Sequence, residues 1–442
     1  MAGLPEYPIL DPKLDRMPRP LLRELQATRL RAMARYVYEE TPFWRRKFDE
    51  AGITPDDIKG LDDLPRIPFC TKEELQNDQA EHPPFGSYAA SHPSRWVRYM
   101  ATSGTTGAPL RRVFSRRDWG YTLDRFQRSP VAGPGDIVMI LGPIDGMMGP
   151  TASSESMACA GAMVVQAGLY DTKTKVGLIR DLRPTVVSGT ASYLLYLLEV
   201  AAEMGVNFRE CGIQAISSVG EPGAAVPATR QRLTEGWGAF VNDGYGLTEI
   251  FPLGGGCLHS TSIHLSDDMV LTEVIDPETG QVVPRGEPGE LVYTNLVGDT
   301  QPLLRYRSRD IARLASEEPC ACGHTGTRLL NSIEGRVDDM IWYRGANVFP
   351  SAIEAVVRGF TELSHEFQIA IEGDHALPTM IVRVETRRQL PQSDLTGLER
   401  KVYETLAVAL RLHPKLHVLP PGSLPRPDGG AKVRRVIDNR KR

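Results

Sequence analysis

The chain has 442 residues, of which 41% are hydrophobic and 24% charged, with a formal net charge of −4. That length exceeds one ordinary core and predicts two or three domains, and the composition is that of a globular protein. The near-balanced charge excludes a global field toward nucleic acid or an anionic membrane, and six cysteines exclude a disulfide scaffold.

Residues 20 to 52 read as one or two helices, because Leu22, Leu25, Leu30, Met33 and Val37 recur at helical spacings and Gly52 suits a left-handed close. Asp62 to Pro68 is a proline-punctuated connector. The β-like stretch Trp96 to Met100 leads into Thr102-Ser103-Gly104-Thr105-Thr106-Gly107, where two glycines let the backbone approach an anion and the hydroxyls add donors. No Gly-Lys-Ser/Thr follows, so this is not a Walker A loop. From 135 onward strands and helices alternate: Ile137 to Leu141, a small-residue helix to Gly161, Met163 to Val165, Thr185 to Ser188, a helix from Ala191 to Met204, and Ile213 to Ser218 closed by Gly220-Glu221-Pro222-Gly223. This alternation predicts a parallel sheet with covering helices. Short β segments follow at Val270 to Ile275, Gly289 to Thr294 and Met340 to Tyr343. A compact α+β segment runs from 346 to 442, with strands near 367–372 and 378–384 and a helix near 395–411.

No apolar run reaches about 18 residues, and the first residues lack a basic stretch followed by an apolar one, so a cytoplasmic location is expected. The basic end from Lys432 reads as a solvated tail rather than a nucleic-acid arm.

Four further motifs carry chemistry. In Asp243-Gly244-Tyr245-Gly246-Leu247-Thr248-Glu249, a Gly-X-Gly turn ends a strand and presents a hydroxyl and a carboxylate at a sheet edge. Thr248 suits a phosphate oxygen and Glu249 suits Mg2+, which takes one or two carboxylates plus substrate phosphates. In Arg305-Tyr306-Arg307-Ser308-Arg309-Asp310, the short carboxylate can accept from both hydroxyls of a ribose, or the segment is a charged hairpin. Glu334 to Ile341, with Arg336 and Asp338, is a glycine-flanked linker able to absorb a large backbone rotation. Gly429-Gly430-Ala431-Lys432 is a glycine loop carrying one lysine. Taken singly, each is also an ordinary surface turn.

In this order and spacing the motifs resemble the adenylate-forming superfamily of acyl-CoA ligases and adenylation domains, and within it the phenylacetate-CoA ligase family. Thr41-Pro42-Phe43-Trp44, Asp62-Asp63-Leu64-Pro65 and Pro68-Phe69-Cys70-Thr71-Lys72 extend the resemblance over nearly the whole chain. It implies an α/β enzyme with a large N-terminal domain, 1–337, of mixed and parallel sheets with covering helices plus a β-rich subdomain. A small mobile α+β C-terminal domain, 338–442, would turn about Asp338. It implies that Ser103 to Gly107 cradle the ATP phosphates, that Gly220, Glu221 and Pro222 line the adenine with Tyr245 stacked near it, that Thr248 and Glu249 bind phosphate and Mg2+, and that Asp243 is among the cofactor-binding residues. Asp310 would hold the ribose, Arg336 would contact ribose or phosphate, and Lys432 would bridge the carboxylate and the α-phosphate. Three positions depart from the pattern. Ala108 stands where lysine commonly follows the loop, leaving a contact to be absent or supplied by Arg111 or Arg112. Arg309 replaces a usual glycine, and Gly255-Gly256 make the acyl-pocket loop unusual.

The resemblance implies ATP, Mg2+ and CoA as partners of a small carboxylic acid, aryl or arylacetic by the family's habit. The pocket would draw on Asp145, Met147, Met148, Gly244 and Gly246. An acceptor other than CoA, namely a carrier-protein thiol or an amine, is the alternative; a non-catalytic nucleotide binder is a third, disfavoured by Glu249, Asp310 and Lys432. A homodimer is left open, and neither nucleic acid nor a membrane is expected as a partner. Cys257, His264, Cys320 and Cys322 form a C-x6-H…C-x-C set suited to structural Zn2+, or are unrelated reduced cysteines; some family members carry a similar cluster. His259 and His324 compete with His264 for the fourth place.

Overall fold

The computed structural model describes residues 12–102, 108–128, 132–144, 146–250, 253–257, 259–343, 346–373, 379–427 and 435–439. The chain forms two compact units, Met1–Gln166 with Asn242–Ile333, and Ala167–Val241 with Glu334–Arg442.

In the first unit the helical stretch expected near the N-terminus is two helices, Arg19–Glu40 and Pro42–Glu50. Thr41 separates them: its hydroxyl accepts from the Trp44 N–H and donates to the Val37 carbonyl, while Pro42 occupies the first turn, where it needs no donor. Gly52, at φ 66°, closes the second helix in the left-handed conformation. Leu30, Val37, Trp44 and Phe48 pack in one core with Leu291 and Tyr293 of an antiparallel sheet built from Val270–Ile275, Gly289–Asn295 and Tyr306–Ala312, and with Leu304 just before its third strand. Ile137–Ile140 pairs in parallel with Met163–Gln166, the buried strand and its partner that the apolar runs predicted. A second antiparallel set joins Gly254–Gly256 to Ile263–Leu265, and the latter to Arg328–Leu329.

The glycines of 254–256 answer to close packing. A Cβ on Gly254 would lie 2.5 Å from the His264 carbonyl oxygen, and one on Gly256 would lie 2.1 Å from the Asn242 side-chain oxygen. Only glycine lets these backbones approach.

The second unit holds the parallel pair Val186–Gly189 and Ala215–Val219, with helices Thr172–Leu182, Ala191–Glu203 and Pro227–Trp237. It also holds a four-stranded sheet in the order Lys415–Leu419, Thr379–Thr386, Leu363–Glu372 and Val436–Asp438. Helices Pro350–Gly359 and Gln392–Leu410 cover this sheet through Ile353, Val357, Val402 and Leu406. Polar ties knit the unit together: Arg358 donates to Thr229 and pairs with Glu354, and Arg435 pairs with Glu366 and donates to Ser192. No helix among the described residues is long and apolar enough to cross a membrane.

Candidate nucleotide site and cysteine cluster

Two of the expected nucleotide-site residues meet directly. The Tyr245 hydroxyl donates to Asp310 Oδ2 at 2.7 Å. Burial, followed by the Asp310 charge, pushes the Tyr245 phenol well above its ordinary value, so it stays a donor. Asp310 reaches this position through a bulge. Val292 pairs with Arg307 but Glu290 with Ile311, so extra residues of the Tyr306–Ala312 strand loop out around Ser308 and Arg309. Arg309 takes φ 65°, which explains why glycine is usual there: a side chain in this region costs roughly 1 kcal/mol. The bulge is held by Glu290, whose carboxylate accepts from the Arg309 N–H and pairs with Arg307, and by the Ser308 hydroxyl, which donates to the Leu291 carbonyl.

Glu249 is buried, and its carboxylate pairs with the Lys72 ammonium at 3.1 Å. Lys72 opens the helix Lys72–Glu81, whose start is fixed by a capping box. The Thr71 hydroxyl accepts from the Glu74 N–H, and the Glu74 carboxylate accepts from the Thr71 N–H. The preceding residue, Cys70, bridges Tyr306: its N–H donates to the Arg305 carbonyl and its own carbonyl accepts from the Arg307 N–H. The strand that carries Asp310 thus also places Lys72. The T-x-x-E cap is readable in the sequence; the proximity of Lys72 to Glu249 is not.

Arg112, on the strand Arg111–Ser115, is buried, and its Nε and Nη1 meet no acceptor among the described residues. Burial lowers its affinity for the proton, opposed by Tyr88 and Glu249.

The other expected residues have these settings. Gly220 takes φ 89°, and Glu221 accepts a hydrogen bond from the Ser192 N–H at the start of the helix Ala191–Glu203. The Pro222 backbone opens a short 3-10 turn, Pro222–Ala225. Asp243 is buried and Gly244 pairs with Gly255, while Gly246 is exposed and Thr248 half-buried. Arg336 Nη2 pairs with Asp338 Oδ2 at 3.5 Å. Met147 is exposed, whereas Met148 is packed among Met100, Phe114, Trp119 and Ala152. Ser103, Gly104, Thr105, Thr106, Gly107, Asp145 and Lys432 lie outside the described residues.

The cysteine set is gathered. The ligand atoms of Cys257, His264, Cys320 and Cys322 all lie within 4.8 Å of one another. Cys257 Sγ and Cys320 Sγ are 3.8 Å apart, and Cys322 Sγ is 3.7 Å from His264 Nε2. These separations are too long for a disulfide, near 2.05 Å, and match the edges of about 3.8 Å that tetrahedral Zn–S bonds near 2.3 Å generate. Crowding splits the thiols: a hydrogen bond from Cys322 holds Cys257 low, and Cys322 is pushed up in return. His264 sits on the strand Ile263–Leu265 opposite Arg328, and Arg125 donates to its carbonyl. Of the competing histidines, His264 is the one whose ring lies among the three thiols. The His324 ring stacks on His264 at 4.3 Å, but its Nδ1 accepts from the Gly326 N–H and its Nε2 faces Asp15.

Comparison with known proteins matches the chain in two parts. Residues 50–295 match the family model described as AMP-binding enzyme, and residues 345–440 match that described as AMP-binding enzyme C-terminal domain. The chain is similar to a phenylacetate-coenzyme A ligase of Thermus thermophilus, 36% identical over 97% of this chain and 99% of the relative. A phenylacetate-coenzyme A ligase of Aromatoleum evansii is 31% identical over 95% and 94%. Among solved structures, a 2-hydroxyisobutyryl-CoA ligase in the postadenylation state with 2-HIB-AMP superposes with a TM-score of 0.91 at 30% identity, covering 100% of this chain and 95% of that one.

Proposed function

The chain belongs to the AMP-binding enzyme family, and from that premise we propose that it is an ATP-dependent carboxylate–CoA ligase acting through an acyl-AMP. The observation that carries the reading is 36% identity to a phenylacetate-coenzyme A ligase along essentially the full length of both chains. In the first step a carboxylate oxygen attacks the α-phosphorus of ATP and pyrophosphate leaves. In the second the CoA thiol attacks the acyl carbon and AMP leaves. Asp310, held by Tyr245, would accept from the ribose hydroxyls. Ser103 to Gly107 would hold the phosphates, and Lys432 would stabilise charge as the carboxylate approaches phosphorus. The oxygens of Glu249 and Thr248 suit Mg2+, which would neutralise triphosphate charge when bound. Residues 338–442 would turn about Asp338 between the two steps.

An aryl or arylacetic acid is the substrate class favoured by the phenylacetate-coenzyme A ligases. A small 2-hydroxy acid is the second reading, favoured by the 2-hydroxyisobutyryl-CoA ligase match. Cys257, His264, Cys320 and Cys322 are proposed to hold a structural Zn2+, on the strength of their mutual distances.

Pyrophosphate release and thioester formation, measured over a panel of both acid classes with and without CoA, test the reading. Thioester formation with one class is expected. Adenylate formation without CoA consumption would move the acceptor to a carrier thiol or an amine, and no turnover with any acid would refute the ligase.

A further inference from the structure

The apolar core of the C-terminal segment is its own: among the described residues its members run from Ile341 to Val436, and none comes from 167–241. Polar side chains tie the segment to the helices Ala191–Glu203 and Pro227–Trp237 of the same unit. Arg358 donates to Thr229, Arg435 donates to Ser192, and Arg426 Nε lies 3.9 Å from Glu199 Oε2. Arg232, on the second helix, donates through Nη2 to the Phe360 carbonyl and through Nη1 to His365 Nδ1, 2.8 Å away. Part of this seam is unmatched. Glu199 Oε1, Arg358 Nε and Arg426 Nη1 are buried and meet no hydrogen-bond partner among the described residues. Buried polar groups without partners cost free energy, so such a seam parts more readily than an apolar one.

His365 is the residue on which the seam turns. It is buried, with Arg387 Nη2 at 3.4 Å and Glu199 Oε1 at 3.8 Å from its Nε2. A guanidinium only donates, so Nδ1 accepts from Arg232 and the ring is neutral. With both ring nitrogens protonated, no acceptor would be left for Arg232, and a new cation would stand among Arg232, Arg358, Arg387 and Arg426. Burial first, then those four arginines, hold its pKa well below the ordinary value of about 6.5.

We propose that His365 is a positioning residue: while neutral it clasps the C-terminal segment to the two helices, and its protonation opens the seam that a turn about Asp338 must part. The inference rests on the two-step ligase function above. Opening returns the ring to water, where it takes up a proton near its ordinary pKa. The clasp is therefore at full strength above about pH 6.5 and weakens as pH falls below it. The open-to-closed ratio should rise about tenfold between about pH 7.5 and about pH 5.5.

The test reads the seam and the reaction separately. Dyes on non-natural residues at the exposed positions Glu235 and Glu404 of the full chain report the open-to-closed ratio by single-molecule energy transfer. The wild-type ratio should show the tenfold rise. His365→Asn, whose side-chain oxygen can accept from Arg232 but takes up no proton, should hold it within about twofold. Pyrophosphate release, and thioester formation from preformed acyl-AMP, should match between the two proteins at about pH 7.5 and diverge severalfold at about pH 5.5 in one step only. A wild-type ratio that ignores pH, an equal rise in His365→Asn, or pH profiles that coincide in both steps overturns the proposal. Arg232→Gln keeps a donor without its charge, so it should blunt the pH response; it carries the comparison if His365→Asn does not fold. No turnover with any acid refutes the ligase function itself, a different outcome from a seam that ignores pH.

Discussion

The cysteine cluster and the pairs Tyr245–Asp310 and Lys72–Glu249 lie in the same unit and handle charge in opposite ways. Around Cys257, His264, Cys320 and Cys322, the donor atoms all lie within 4.8 Å of one another. Backbone bonds fix the loops that carry them: the Cys257 N–H donates to the Ser262 carbonyl, and the Cys320 N–H to that of His324. In the two pairs the anions already face protein donors, Asp310 with Tyr245 and Glu249 with Lys72. A closed set of like donors would suit one resident ion, as proposed above. Internally paired charges would suit a site whose partners exchange as a ligand arrives and leaves.

If that contrast holds, activity and stability separate between the two places. The largest effect belongs to Lys432→Ala, expected to cut pyrophosphate release with acid and ATP by about 10²- to 10³-fold, the usual loss on removing a group that stabilises developing charge. Its Tm should stay within about 2 °C of wild type, the range of a substitution that acts on the reaction alone. A comparable drop in Tm would break the contrast. Cys320→Ser probes the other side. Stoichiometric zinc, measured by elemental analysis, should disappear, and Tm should fall by about 5–10 °C, because metal binding to a folded site is folding free energy. Wild-type protein without zinc, or a variant with unchanged Tm, removes the structural ion from the account.

Tyr245→Phe sharpens the comparison at the level of a single hydrogen bond. Loss of a donor to a charged group predicts about a tenfold rise in KM for ATP, with KM for the acid unchanged. An equal rise in both would make Tyr245 a packing residue. The smallest effect is expected from Arg309→Gly, which relieves the left-handed conformation at φ 65°. Thermal unfolding should show stabilisation of at most about 1 kcal/mol. Destabilisation by as much would mean that the arginine side chain contributes more than its backbone costs.

The elements were legible wherever periodicity was strong. Ile137–Ile140, Val186–Gly189 and Ala191–Glu203 fall where apolar runs and helical spacing put them. The break at Thr41 was written in Thr-Pro, a cap followed by a first-turn proline, but the apolar spacing carries through it. The cysteine set was visible as residue types. The choice of His264 was not, because it depends on which strand pairs with Arg328–Leu329 and on a Gly326 N–H that occupies His324. Lys72 was hidden for a related reason. It is brought to Glu249 by the bridge between Cys70 and Tyr306, and such long-range pairing leaves no local periodicity. The rule-breaking Arg309 was visible as a departure, and the structure supplies its cause in the bulge that turns Asp310 toward Tyr245.

Cys257 and Cys320 stand 63 positions apart along the chain. An ion joining them would act as a clasp on the whole intervening sheet, Val270–Ile275 through Tyr306–Ala312. Closing a loop of that length in the unfolded chain removes conformational freedom worth about 4 kcal/mol by the relation used for disulfides. Newly made chain would therefore gain its clasp only after the strand bearing Asp310 had been synthesised. Metal supply during synthesis, rather than during turnover, would then set how much protein matures.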